Sequence, residues 1–285
     1  MVLSLAHLGP SGTNAETAAL AYADWLLKQE NQQVLLCPYP TIAQTGQAVA
    51  EGKADLAVVP VENSTEGSVA VTLDLLWQYD QLQIQQELVL PITHALLSHC
   101  SSLLALKIIY SHPQALAQCQ QWLECNLPSV PLVASNSTAE AVRQVIQDST
   151  AGAIAAPRNS KLYGVPIVAS GIQDYPQNCT RFWILGLTPT QTGDRLSLAF
   201  SVPANFPGSL VKPLQAFAKR GINLSRIESR PTKRSLGDYL FFVDLEGNMS
   251  QPSVQDALTE LARHTAILKI FGNYSLLSIS INFSQ

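Results

Sequence analysis

Near the middle of the chain, residues 178–182 read Asn-Cys-Thr-Arg-Phe, and Trp183, Ile184 and Leu185 follow. An amide, a thiol, a hydroxyl and a guanidinium thus precede four apolar residues in a row. The apolar half reads as a buried strand, so the polar half holds donors at the edge of a core element. The planar fork of Arg181 suits a carboxylate; the same guanidinium could instead pair with Glu62 and brace its surroundings. Three further stretches put hydrogen-bonding residues where strands or loops meet helices. GPSGTN (9–14) leads into a helix start whose unpaired amides suit an anion such as a carboxylate. It is neither a P-loop nor a dinucleotide fingerprint, and alone it reads as a plain strand-to-helix turn. PVENSTEGSV (60–69) gathers Glu62, Asn63 and Ser64 after a strand, where open α/β sheets present ligand sites; a capped turn into a helix near Val69 is the alternative. YSHPQALAQC (110–119) ends a strand at Ser111, and a helix from Pro113 stacks Gln114 and Gln118 on one face, toward ligand or solvent.

These stretches punctuate an alternation of strand-like and helix-like segments over residues 1–188. VLSLAHL (2–8) is strand-like. NAETAALAYADWLLK (14–28) places Ala15, Ala18, Ala19, Tyr22 and Leu26 on one helical face, with Asn14 as the expected cap. VLLCPY, ADLAVVPVEN, LKIIYSH, VPLVAS and AGAIAAP read as strands. TIAQTGQAVAEG, ending at Gly52, PQALAQCQQWLE and STAEAVRQVIQD read as helices. Strands separated by helices of this length predict parallel α/β layers. Two such runs predict two lobes, with crossovers near 82–98 and 163–180 and a ligand cleft between them. TPTQTGD (188–194) reads as polar linker. Beyond it the rhythm becomes β-α-β-β-α-β, the split βαβ sandwich of ferredoxin-like domains. Its first helix aligns Leu210, Leu214 and Phe217; Pro213 lies late for a helix start and predicts a first-turn kink or a shifted start. Its second aligns Val254, Leu258 and Leu261.

The chain has 285 residues, 47% hydrophobic, 13% charged, with a net charge of −4. That suffices for a sizeable core and excludes the basic density a phosphate backbone demands. The richest basic cluster, Arg226 to Arg234, reads as a solvated turn. MVLSLAHLGP reads as a first strand and not a signal peptide. No apolar run reaches membrane-spanning length; ELVLPITHALLS (87–98) is short and broken by Pro91 and His94. Five cysteines without C-x-x-C spacing point to a reducing, cytoplasmic compartment, and the neighbours His99 and Cys100 read as isolated side chains, not metal ligands.

GPSGT, PVENS with GSV, SHPQALAQC, NCTRF and GSLVKPLQAFAKRGINLSRIESRP occur in one order at family-like spacings. Together they resemble the prephenate dehydratase family across essentially the whole length. The resemblance implies an α/β fold: a two-lobed, periplasmic-binding-protein-like catalytic domain (1–188), a linker (189–194) and a ferredoxin-like βαββαβ regulatory ACT module (195–285). It implies decarboxylating dehydration of prephenate to phenylpyruvate on the route to phenylalanine, without cofactor or metal. Carried across motif by motif, Thr180 aids departure of the ring hydroxyl beside Arg181, while Asn178 orients the loop. Ser11, Gly12, Thr13, Asn63, Ser64, Ser111, Gln118, Ser137 and Thr138 line the cleft, although a helix cap accounts equally well for Thr138. The module implies phenylalanine as effector, bound between paired copies in a homodimer or homotetramer. Gly208, Ser209 and Leu210 at a helix start match that site, as do Asn223, Leu224, Glu228, Ser229, Arg230 and Pro231. Ser209 stands where the family usually has alanine, and Glu228 and Arg230 read equally as an exposed cross-strand pair.

Two rival readings remain at this level. One is the same chemistry on arogenate, whose side chain carries an amino group. The other is a two-lobed solute-binding protein with a sensor tail and no catalysis; the expected lack of an export signal and the Thr180–Arg181 pair argue against it. An attached chorismate mutase is not expected, since the resemblance begins at residue 3.

Overall fold

A computed structural model describes residues 2–190 and 192–277. Gln191 of the expected linker and residues 278–285 of the expected module lie outside the described residues. The first lobe runs β1 (Leu3–Leu8), α1 (Asn14–Glu30), β2 (Val34–Tyr39), α2 (Ile42–Ala50), β3 (Leu56–Asn63), β4 (Gly67–Ser68), α3 (Ala70–Gln78) and β5 (Gln83–Pro91). The second follows as β6 (Ala95–Ser98), β7 (Ile108–Ser111), α4 (Pro113–Ala117), α5 (Gln120–Asn126), β8 (Leu132–Ala134), α6 (Thr138–Gln147), β9 (Ala151–Ala155), α7 (Arg158–Tyr163) and β10 (Ile167–Ser170). β11 (Cys179–Gly186) then returns to the first lobe. The chain passes from the first lobe to the second between β5 and β6 and returns between β10 and β11.

The layers are mixed, not purely parallel. β2, β1 and β3 are parallel, but β11 slots between β3 and β5 and runs antiparallel to both. In the second lobe, ordered β10-β6-β9-β7-β8, the pairs β10–β6 and β6–β9 are antiparallel. The reason is the crossovers: the chain enters and leaves each lobe without the intervening helix that a parallel connection requires. The predicted apolar face of α1 is the buried one, Ala15, Ala18, Ala19, Tyr22 and Leu26, joined by Thr17. Its cap is Thr13, whose hydroxyl accepts from the Glu16 amide at 3.2 Å, and not Asn14.

The third unit is β12 (Arg195–Ser201), α8 (Val211–Ala218), β13 (Leu224–Pro231), β14 (Tyr239–Glu246), α9 (Pro252–Ala262) and β15 (Ile267–Leu277), with strands ordered β13-β14-β12-β15. The start of α8 is shifted to Val211. Pro213 thereby sits in the first turn, where its missing N–H deprives the helix of nothing. One sheet face packs on α8 and α9 through Leu198, Phe200, Phe217, Val243 and Leu261. The opposite face joins the first lobe: Phe242, Phe271 and Tyr274 share a core with Trp183, Leu75 and Leu76.

Across the polar linker the two units share one sheet. The end of β15, Ser275–Leu277, pairs parallel with Gln86–Leu88 of β5. Gly272 marks the close approach: a Cβ there would lie 2.5 Å from the Ile84 carbonyl oxygen. The basic cluster is likewise no solvated turn. Arg226 is buried and bonds Glu228 and Ser68, while Arg230 and Lys233 both reach Asp74 on α3.

Candidate active site

Between the lobes lies a cleft of about 600 Å³. Its walls carry Thr13, Asn63, Gln118, Ser137, Thr138 and Thr180 from the sequence-derived set. Strand alternation explains how Thr180 arrives there. In β11, Thr180 and Phe182 face the cleft, and Arg181 and Trp183 face the opposite way.

The protons around Thr180 can be assigned from the hydrogen bonds. Asn63 Oδ1 faces the backbone amides of Thr65 and Glu66, both at 3.1 Å, and these can only donate. The Asn63 nitrogen therefore points the other way. It donates to Thr180 Oγ1 at 2.9 Å and to Asn178 Oδ1 at 2.9 Å. Thr180 Oγ1 accepts from Asn63, so its own proton is left for a group in the cleft. The assignment propagates. Asn178 Nδ2 donates to Gln118 Oε1 at 3.0 Å, and His94 Nε2 must donate to the same oxygen at 2.9 Å. His94 Nδ1 is then a bare acceptor, with no partner among the described residues. Burial pushes the His94 pKa down, against the opposing pull of Gln118, which keeps the ring neutral at pH 7.

Other members of the expected set stand behind the wall. Ser111 is fully buried and donates to the Ile154 carbonyl at 2.6 Å, because β9 is the parallel neighbour of its strand in the sheet. Ser64 is exposed outside the cleft; its hydroxyl accepts the Cys179 amide and donates to Asn178. The Gly12 amide donates to Glu16 at 2.7 Å, so an internal carboxylate already occupies the anion site expected at this turn. Glu16 also pairs with Arg158 at 2.8 Å. Asn159 donates to the Gly12 carbonyl at 3.0 Å and Tyr163 to that of Ser11 at 2.6 Å. Ser11 and Gly12 thus form a lobe-to-lobe clamp with α7 and do not line the cleft. A side chain at Gly12, where φ is +96°, would strike Asn159. Thr138 is not a cap; the Ser137 hydroxyl caps α6 through the Glu140 amide at 3.0 Å, and Thr138 borders the cleft one residue on.

Arg181 is the largest departure from the sequence reading. Of the two alternatives, the structure takes the bracing one. The guanidinium bonds Glu62 at 2.7 Å, Glu87 at 2.6 Å and Asp244 of β14 at 3.1 Å. Burial opposes its charge, but Glu87, Asp244 and Glu62 outweigh that and hold it protonated. Sequence reasoning missed the cleft residues Asn14, His94, His112 and Arg143. Arg143 had one available signal, its i, i+3 spacing from Glu140 behind the Ser137 cap.

The nine expected effector residues divide into two groups. Gly208, Ser209 and Leu210 precede α8, and the Ser209 amide bonds Phe206. Leu224 packs in the core beneath α8, and Asn223 bonds Glu246 at 3.1 Å. Ser229 is exposed on β13 and Pro231 ends that strand. Glu228 and Arg230 are not a cross-strand pair: they lie two apart on one strand, bonding Arg226 and Asp74, and face the first lobe.

Residues 5–190 match the prephenate dehydratase family, and residues 197–263 match the ACT domain. The chain belongs to the prephenate dehydratase family. It is 38% identical to the prephenate dehydratase of Lactococcus lactis subsp. cremoris, over 97% of this chain and 99% of that one. The crystal structure of the prephenate dehydratase of Arthrobacter aurescens in complex with L-Phe superposes with a TM-score of 0.82. The two are 32% identical, over 98% of this chain and 92% of that one. A protein described as a novel type of quorum-quenching acylase is 30% identical, with a TM-score of 0.77 over 96% of this chain and 98% of that one. The family is one of lyases, and its dehydratase and ACT domains account for both halves of this fold. No helix among the described residues is long and apolar enough to cross a membrane.

Proposed function

We propose that this dehydratase-family chain converts prephenate to phenylpyruvate in the cleft between its lobes, with Thr180 donating to the departing ring hydroxyl. The bond to the ring carboxylate breaks and releases carbon dioxide. Its electron pair enters the ring, the bond to the hydroxyl on the opposite ring carbon breaks, and solvent protonates the hydroxide to water. The ring becomes aromatic, so the protein has to bind, orient and stabilise charge on one oxygen. A threonine hydroxyl is too weak an acid to surrender its proton before that bond breaks. Its service is a hydrogen bond that strengthens as charge develops.

The observation that carries this reading is the bond from Asn63 Nδ2 to Thr180 Oγ1. It turns the Thr180 proton away from the protein and toward a ligand. The same bond argues against an acyl-transfer role for Thr180, since a nucleophilic hydroxyl needs a base to take its proton and Asn63 Nδ2 is a donor. Ser137 and Thr138 supply neutral contacts to substrate oxygens; Thr13, whose hydroxyl donates to the Leu8 carbonyl, and Gln118, whose amide nitrogen donates to Thr65 and Glu66, shape the wall, and Ser11, Gly12, Ser64, Ser111 and Asn178 hold it in place.

The experiment is to incubate the purified chain with prephenate and follow phenylpyruvate absorbance. Thr180→Ala should lower turnover by about 10²- to 10³-fold without changing the melting temperature. Near-full turnover by this variant removes the assigned role, and turnover of an acyl amide in place of prephenate removes the dehydratase reading.

Phenylalanine regulation extends to this chain what the L-Phe complex of the relative suggests. We assign residues 195–285 as the regulatory module, joined by 189–194 to a catalytic unit of 1–188, with phenylalanine seated near the start of α8 between paired copies in a dimer or tetramer. Arg181 lends this a route. It sits next to Thr180 in β11 and bonds Asp244 in the regulatory sheet, so an effector that favours one setting of β14 also biases the catalytic strand. Turnover measured with and without added phenylalanine tests the regulation; an unchanged rate removes it.

A further inference from the structure

The substrate carries two carboxylates, and the cation expected to meet one of them, Arg181, faces away from the cleft. Among the described residues, the cleft wall holds one guanidinium, that of Arg143 on α6. Among the described residues, no carboxylate lies within ion-pairing distance of it. Its recorded contact is the ring of Tyr163, 5.8 Å from its central carbon. Tyr163 is itself pinned by its bond to the Ser11 carbonyl. The guanidinium therefore lies against an aromatic ring, with no hydrogen-bond partner for its donors among the described residues, at the exposed rim, while Thr180 lies on the buried wall.

We propose that Arg143 binds the side-chain carboxylate of prephenate and sets a preference for prephenate over arogenate; the proposal rests on the dehydratase reading above. The assignment between the two carboxylates follows from the reaction. The ring carboxylate leaves as neutral carbon dioxide, so a strong cation on it would stabilise the ground state more than the transition state and slow the step. The side-chain carboxylate keeps its charge throughout, and a cation there binds both states equally. The side chain and the departing hydroxyl occupy opposite ends of the ring, which matches a cation at the rim and Thr180 within. Arogenate adds an ammonium beside that same carboxylate. Glu140 is the sole Asp or Glu on the described cleft wall, and its Oε2 is engaged with the Asn136 amide at 2.9 Å. An ammonium next to Arg143 would meet repulsion with little to offset it.

The test is steady-state kinetics of the full chain on prephenate and arogenate, for wild type, Arg143→Gln and Arg143→Lys, at low and high salt. Because Arg143 is exposed, the variants should melt with the wild type. Arg143→Gln should raise KM for prephenate about 10- to 100-fold, the range for a charge-assisted pair, while kcat stays within about threefold. Arg143→Lys should recover part of the affinity, since it keeps the charge but loses the planar fork. Wild-type KM should rise with salt, and that dependence should be weaker in Arg143→Gln. The prephenate-to-arogenate preference should narrow in Arg143→Gln. A prephenate KM unchanged in Arg143→Gln, or a wild type that favours arogenate, overturns the proposal while leaving the dehydratase reading standing. A wild type that converts neither substrate overturns both.

Discussion

Replacing Arg181 with methionine separates the two roles the sequence leaves open for it. The guanidinium contacts three carboxylates between 2.6 and 3.1 Å, and two of them, Glu87 and Asp244, have side chains only 1% and 6% exposed. Methionine fills similar space but leaves those carboxylates to weaker partners: Arg195 stands 3.4 Å from Glu87 and Arg226 stands 3.5 Å from Asp244. Stripping one partner from a buried ion pair costs about 3–5 kcal/mol. For a chain of this size that corresponds to a melting temperature lower by roughly 6–20 °C. The affinity for prephenate should not follow, because the side chain points away from the cleft. Measured well below the melting temperature, KM should stay within about twofold of wild type, a change of under ~0.5 kcal/mol. Thermal melts paired with steady-state kinetics read out both quantities. An unchanged melting temperature together with a KM about tenfold higher would refute the assignment and return Arg181 to the substrate. Asp244→Asn provides a milder arm: it removes one charge from the same cluster and should lower the melting temperature less.

Asn63→Asp exchanges the donor facing Thr180 for an acceptor, so the Thr180 proton turns toward the new carboxylate; kcat should fall about 10²-fold, and wild-type turnover would disprove the proton assignment. Acidification should destabilise the protein in two stages. Burial opposes ionisation of Glu16, but the Gly12 amide, the Ser11 hydroxyl and Arg158 keep its pKa below the ordinary 4.5. Its stabilising contribution is therefore complete above 4.5 and is lost as pH falls through the folded value. His94, pushed below its ordinary 6.5 by burial, acts earlier: beneath 6.5 the unfolded chain binds a proton that the folded chain refuses, so stability declines. Melting temperatures recorded from pH 7 downward for wild type and His94→Gln check this. The variant should lose the upper stage only, and a wild type that gains stability through pH 6.5 contradicts it.

Local patterns were legible wherever one face of one element decided the outcome. The apolar stripe of α1 is buried as its spacing predicts, and the βαββαβ order holds across the module. Period-2 alternation was equally present in NCTRF. Thr180 and Arg181, as neighbours in a strand, have to face opposite ways, and that alone argues against giving them one shared site. Residues in the polar motifs were harder to sort. A serine hydroxyl donates to ligand or backbone with equal ease, and only the pairing of β9 beside its strand commits Ser111 to Ile154.

The sequence by itself determined the order of the elements, the fold class and the family. These follow from periodicity, turn chemistry and motif order, all of which are written along the chain. Tertiary structure decided what lies across a sheet or between lobes. It sent Arg181 to Asp244, placed Arg143 at the rim of the cleft, and joined β15 to β5 so that module and catalytic lobe share one sheet. Each of those outcomes depends on contacts between residues dozens of positions apart, whose energies no local spacing encodes.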